Sequence, residues 1–126
     1  AGHLTGRIRT RLAESAPMPV IFREVVQFLD DTRDQPPESL AATISVEPLS
    51  TGERRWDAVV AGAVDWVAST RGIESPRWVT GARWKLPAPG WVLTPHERLH
   101  PMVRSSTPAE FARHGVYVDS SSLESV

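Results

Sequence analysis

A chain of 126 residues with 40% apolar and 23% charged side chains has the size and make-up of one globular domain. Its 14 basic and 15 acidic side chains nearly cancel, which argues against a broad electrostatic grip on nucleic acid or an anionic membrane. The absence of cysteine excludes disulfide scaffolds, thiolate metal sites and cysteine nucleophiles. No apolar run approaches the roughly 20 residues that span a bilayer, and no signal peptide is in view, so a cytoplasmic protein is the expectation. Two counts stand out: 11 prolines, and 5 tryptophans beside 3 phenylalanines and 1 tyrosine.

Residues 1–3 read as a cloning remnant, and residues 4–126 as a single, mainly α-helical domain. A first helix is expected over residues 5–15, with Leu4, Ile8 and Leu12 on one face, ended by Pro17 and Pro19. A second, over 20–33, carries the stripe Ile21, Val25, Phe28 and Leu29. Pro36 and Pro37 start a short third helix with Leu40, Ala41 and Ile44 inward, stopped near Pro48. The fourth is the strongest signal. Ser50 and Glu53 have the spacing of a capping box, Trp56, Val59, Val60, Ala63, Val64 and Val67 repeat at helical period, and Gly72 closes it. The small Ala58, Ala61 and Gly62 leave room for another element to approach the backbone.

Beyond Pro76 the period changes. Residues 78–80 and 83–86 flank Gly81-Ala82, which suits a small hairpin; an irregular loop anchored by tryptophan is the rival. Trp91, Val92 and Leu93 add an extended piece. Thr94, Pro95 and Glu97 then have the grammar of a capped helix start, and Thr107, Pro108 and Glu110 repeat it for a helix carrying Phe111 and ending at Gly115. Residues 116–119 read as extended, and 120–126 as a weak last turn or frayed tail.

One catalytic motif occurs. His96-Glu97-Arg98-Leu99-His100 matches HExxH, in which two imidazoles one helical turn apart bind zinc and the glutamate activates water. Pro101 directly after the second histidine removes an amide where the ring must be held, and Arg98 sets a cation beside a dication. Only His114 or Glu124 remain as a third ligand, so a helix start with exposed histidines is the stronger reading. No serine sits in a nucleophile elbow, and the glycines form no phosphate loop. Arg7, Arg9 and Arg11 read as a solvated helix face, since Glu14 and Glu24 offset them and no helix-turn-helix accompanies them.

Three of the tryptophans, Trp78, Trp84 and Trp91, crowd a short proline-rich stretch interleaved with Arg77, Arg83 and Lys85. Tryptophan and arginine are the side chains favoured at binding hot spots. The stretch therefore reads as a partner surface or as a staple that ties an irregular loop to the helices; the two roles can share residues.

The segments ERRWDAVVAG (53–62), SPRWV (75–79), TPAEFARHGV (107–116) and Val118-Asp119 resemble the C-terminal region of actinobacterial Xre-type helix-turn-helix regulators and antitoxins. Such proteins are often encoded beside a nucleotidyltransferase-like toxin. The resemblance spans about residues 20–126 and implies an antitoxin or regulator role without catalytic residues or cofactor. The DNA-reading helix-turn-helix is absent from this sequence, which leaves partner binding as the implied function.

The combined expectation is a non-catalytic interaction module that occludes a cognate, toxin-like protein. Its contact residues would be Arg77, Trp78, Arg83, Trp84, Trp91, Arg98 and Phe111. A DNA-binding regulator fragment using the first-helix arginines, a zinc hydrolase centred on His96, Glu97 and His100, and a homodimerising module are the alternatives. No membrane association is expected.

Overall fold

Helical periodicity in the first half of the chain becomes four helices: α1 (Gly2–Ala13), α2 (Met18–Arg33), α3 (Pro37–Ser45) and α4 (Arg54–Arg71). The structure is a computed structural model describing residues 1–123. The first helix takes in residues set aside as a remnant: it starts at Gly2, and the Ala1 ammonium donates to the Thr43 carbonyl at 3.3 Å. In α3, Leu40 and Ile44 are buried but Ala41, expected inward, faces solvent.

Helix α4 is buried along almost its whole length, and α1, α2, α3, the two 3-10 turns between residues 77 and 84, residues 109–112 and residues 116–117 all pack on it. Its start differs from the expected capping box, for Glu53 is the cap and makes no side-chain capping bond. Asp57, one turn inside, does the work instead. Its Oδ2 accepts from Ser50 Oγ at 2.6 Å, and its Oδ1 accepts from the Thr51 amide and hydroxyl, both at 2.7 Å. A carboxylate in the first turn also complements the positive end of the helix. At the other end Gly72 adopts the expected left-handed cap. Arg71 donates to the carbonyls of Thr32, Arg33 and Gln35, satisfying the open C-terminus of α2.

The second half replaces the expected hairpin with two 3-10 turns, Arg77–Thr80 and Ala82–Trp84. Gly81 between them has φ −66, not the positive value of a glycine-first hairpin turn. The only strands among the described residues, β1 (Trp91–Val92) and β2 (Val116–Tyr117), pair in parallel, with Trp91 opposite Val116. Parallel pairing needs a long crossover. Here it is supplied by the 3-10 turn Glu97–Leu99, α5 (His100–Ser106) and α6 (Ala109–Ala112).

Neither helix start in that crossover is the predicted capping box. Pro101, not Pro95, occupies the first turn of α5, and Thr107 Oγ1 donates back to the Val103 carbonyl at 2.7 Å instead of capping α6. Gly62 admits α6 closely: a Cβ there would lie 2.6 Å from the Phe111 ring. A last 3-10 turn, Ser120–Leu123, is held by buried Leu123; the rest of the expected frayed tail, 124–126, lies outside the described residues. Buried apolar residues from Leu4 to Leu123 form one cluster.

Candidate functional site

The tryptophans divide into staples and surface. Trp84 is 0% exposed, its Nε1 donating to Glu47 Oε1 at 2.7 Å. Trp78 is half-buried; its Nε1 donates to the Ile44 carbonyl at 2.8 Å, and its ring meets Trp84 edge-on at 4.8 Å. Together they bind the two 3-10 turns to the end of α3 and the loop after it. Phe111 is also 0% exposed, seated on Gly62. Trp84 and Phe111, both expected at a partner face, are therefore core residues: Phe111 fills the space that Gly62 leaves on α4, and Trp84 is fixed by its bond to Glu47 and its packing on Trp78. Arg77, Arg83 and Arg98 are exposed, and Trp91 is half-buried.

Around Trp91 the surface is cationic and aromatic. Trp91 packs edge-on to Trp56 at 5.1 Å with the Arg55 guanidinium 5.3 Å from its ring centre. The ladder brings Tyr117 opposite Val92, and the Arg104 guanidinium sits 4.3 Å over the Tyr117 ring while donating to the Pro89 carbonyl at 3.0 Å. Arginine over an aromatic face is an attractive pairing at exposed sites. Arg55, Trp91, His100 and Arg104 line one hollow, with Glu97 as its single acid. Thr94 and Pro95 form its edge and also the edge of an apolar groove of about 330 Å³ lined by Met18, Phe22, Leu93, Leu99 and Met102. Met102 is 53% exposed there.

The HExxH segment does not form the continuous helix that its chemistry requires. His96 is extended, Glu97–Leu99 is a 3-10 turn, and α5 begins only at His100, whose Nε2 faces the Thr94 carbonyl at 3.3 Å. Among the described residues no group of three His, Cys, Asp or Glu side chains is placed to hold a metal ion. The arginine trio of α1 is also engaged: Arg7 pairs with Glu24 at 3.4 Å, Arg11 with Glu14 at 3.2 Å, and Arg9 donates to the Ser50 carbonyl. No helix among the described residues is long and apolar enough to cross a membrane.

A second constellation escaped the sequence. Asp65, buried in the middle of α4, accepts from Ser75 Oγ through Oδ1. Its Oδ2 accepts from Arg113 at 3.0 Å and lies 3.1 Å from His114 Nε2. The other nitrogen of His114 lies 2.8 Å from the Trp84 carbonyl. Both oxygens accept, so each contact is met where the nitrogen facing it carries a proton. Burial by itself would push the Asp65 carboxyl up; the hydrogen bonds from Ser75 and His114 and the charges of Arg113 and His114 outweigh it and hold the group below its ordinary range. An available signal was the pair Asp57 and Asp65 inside the apolar run of α4, since a carboxylate on a buried helix face requires partners. No family model, curated protein or solved structure matches the chain.

Proposed function

We propose that this chain is a non-catalytic partner-binding module of the antitoxin type, which covers a cognate toxin-like protein with the ridge formed by residues 94–106. The observation that carries this reading is the shared edge at Thr94 and Pro95, which joins an apolar groove to an arginine- and aromatic-lined hollow. A contact face needs such a combination: an apolar centre to be desolvated and a charged surround to set orientation. Met102, Phe22 and Leu99 supply the first, and Arg55 and Arg104 the second, with the exposed Arg98 on the same 94–106 segment. Arg98, already among the expected contacts, and Met102, which was not, are the residues to test in place of the buried Trp84 and Phe111, because both are exposed.

The experiment is co-purification with the product of the adjacent gene, followed by affinity measurement on Met102→Glu and Arg98→Glu. Each is expected to weaken the complex by about 2 kcal/mol or more with an unchanged melting temperature. Normal binding by both variants, or no complex with the wild-type chain, removes this reading. Light scattering of the chain alone shows whether the same face serves a homodimer instead.

A further inference from the structure

The pocket over the buried Asp65 has a different chemistry from the proposed partner face and shares no lining residue with it. Nine of the 14 basic side chains fall in residues 54–123 against six acids, and two of those acids, Asp57 and Asp65, are buried and already hydrogen-bonded. Much of this excess gathers at one place. Arg77, Lys85, Arg113 and His114 line a pocket of about 680 Å³ together with the hydroxyl-bearing Ser75 and Thr80. Asp65 is the single acid among its lining residues, and its carboxylate is shared between Ser75, Arg113 and His114. Arg77 and Lys85 make no ion pair or side-chain hydrogen bond among the described residues.

The walls are fixed rather than loose. The turn bearing Arg77 is held by Trp78 Nε1 on the Ile44 carbonyl. Lys85 follows the turn held by Trp84 Nε1 on Glu47. The Leu86 amide donates to the His114 carbonyl at 2.9 Å, which joins that turn to the segment carrying Arg113. Arg113 is itself positioned: one terminal nitrogen is bound to the buried carboxylate while the side chain stays 58% exposed, so other guanidinium donors remain open to the pocket. A pinned guanidinium with unpaired cations beside it matches a tetrahedral oxyanion, which accepts several charge-assisted hydrogen bonds at once. The volume lies within the range of small-molecule sites, about 300–1,000 Å³, and Pro76 and Val79 give it an apolar wall.

We infer that this pocket binds the phosphate group of a small phosphorylated molecule, with Arg77, Lys85 and Arg113 as its direct ligands and Asp65, Ser75 and His114 as positioning residues beneath Arg113. This also gives the surplus of tryptophan a purpose: Trp78 and Trp84 hold the cation-bearing turns in place.

The test titrates the full chain with inorganic phosphate, a nucleoside monophosphate and the same nucleoside without phosphate, followed by calorimetry and by NMR of the arginine side chains at constant ionic strength. The expected result is saturable binding of a phosphate-bearing probe, with the Arg77 and Arg113 resonances moving and the free nucleoside inert. The tighter of the two phosphate probes identifies free phosphate or a monoester as the ligand. Removing one cation, in Arg77→Ala or Lys85→Ala, is expected to raise Kd about tenfold with an unchanged melting temperature. Arg113→Lys keeps the charge but loses the fork, and is expected to weaken binding similarly. Absence of saturation at millimolar phosphate, equal response to chloride, equal binding of the bare nucleoside, or binding unchanged in Arg77→Ala and Lys85→Ala would each overturn the assignment.

Discussion

The first four helices and the segment from Arg77 to Val118 bury their side chains by different means. In α1 to α4 the pattern is repetitive: Ile21, Val25, Phe28 and Leu29 on one helix and Val60, Val64 and Val67 on the central one it packs against belong to a single apolar cluster. Many similar contacts share the load, as in any amphipathic packing. From Arg77 to Val118 no helix exceeds seven residues, and the strands are two residues long. That region is held by particular contacts: two indole N–H bonds, a buried histidine between a carbonyl and a carboxylate, and two backbone crossings at glycine. Substitutions in the helices should therefore have graded effects, whereas in the second region a few positions should decide the structure.

The largest expected effect is at Trp84. Trp84→Ala removes a 0%-exposed indole and its bond to Glu47, and truncating a buried tryptophan costs about 3–5 kcal/mol. For a chain of this length that lowers the melting temperature by roughly 15 °C, measurable by circular dichroism. In the helices, Val64→Ala should cost no more than about 1–3 kcal/mol. A Trp84→Ala protein that melts like wild type would put the side chain back on the surface and erase the distinction between the two regions.

The same distinction explains what could be read before the fold was known. The stripe Val59, Val60, Val64 and Val67, the stop at Gly72 and the starts after Pro17 and Pro36 follow local rules, and they appear in place within a residue or two. The position of Trp84 follows from no local rule, because tryptophan beside arginine suits a core and an interface equally. Pairing of Trp91 with Val116 and of Asp65 with His114 joins residues far apart in sequence, and strands of two residues leave no alternation to detect. The three capping boxes failed for a common reason: Ser50, Thr94 and Thr107 each found a different bond, to Asp57, to the His96 amide and to the Val103 carbonyl. Of the candidate surface, Trp91 and Arg98 were legible; Arg55 and Arg104 were not, and the apolar groove beside them is lined from both α2 and α5, which lie far apart in sequence.

Glycine provides a paired test of intermediate size. Gly72 and Gly115 have similar backbones, φ +68 and +77, but an added Cβ meets nothing at Gly72 and lies 2.6 Å from the Leu86 carbonyl oxygen at Gly115. Gly72→Ala carries only the cost of the left-handed conformation, about 1–2 kcal/mol. Gly115→Ala adds overpacking against backbone that two hydrogen bonds hold in place, Leu86 to His114 and Trp91 to Gly115, for a total of about 3 kcal/mol. Urea denaturation of both variants checks this. Equal midpoints would mean that the crossing yields as freely as a helix end.

The smallest effect is the most specific, because it separates ion pairs of the two regions by pH. Burial opposes the Asp65 charge, yet the hydrogen bonds from Ser75 and His114 and the positive charges of Arg113 and His114 leave its carboxyl below the ordinary 3.8. The unfolded chain therefore takes up this proton first on acidification. The stabilisation is complete above the unfolded value, near pH 4, and is lost as pH falls through the lower folded value. Asp65→Asn should lower stability by about 1–3 kcal/mol at neutral pH and flatten the loss of stability below about pH 4. Glu14, in its exposed pair with Arg11 at 3.2 Å, belongs to the helical region. Glu14→Gln should change stability by less than about 0.5 kcal/mol at neutral pH, with the acid limb intact. Denaturation midpoints of the three proteins from neutral pH to about pH 2 decide it. If Asp65→Asn keeps the wild-type acid slope, the buried carboxylate is not what fastens Arg113 and His114 to α4, and the second region must draw its acid stability from elsewhere.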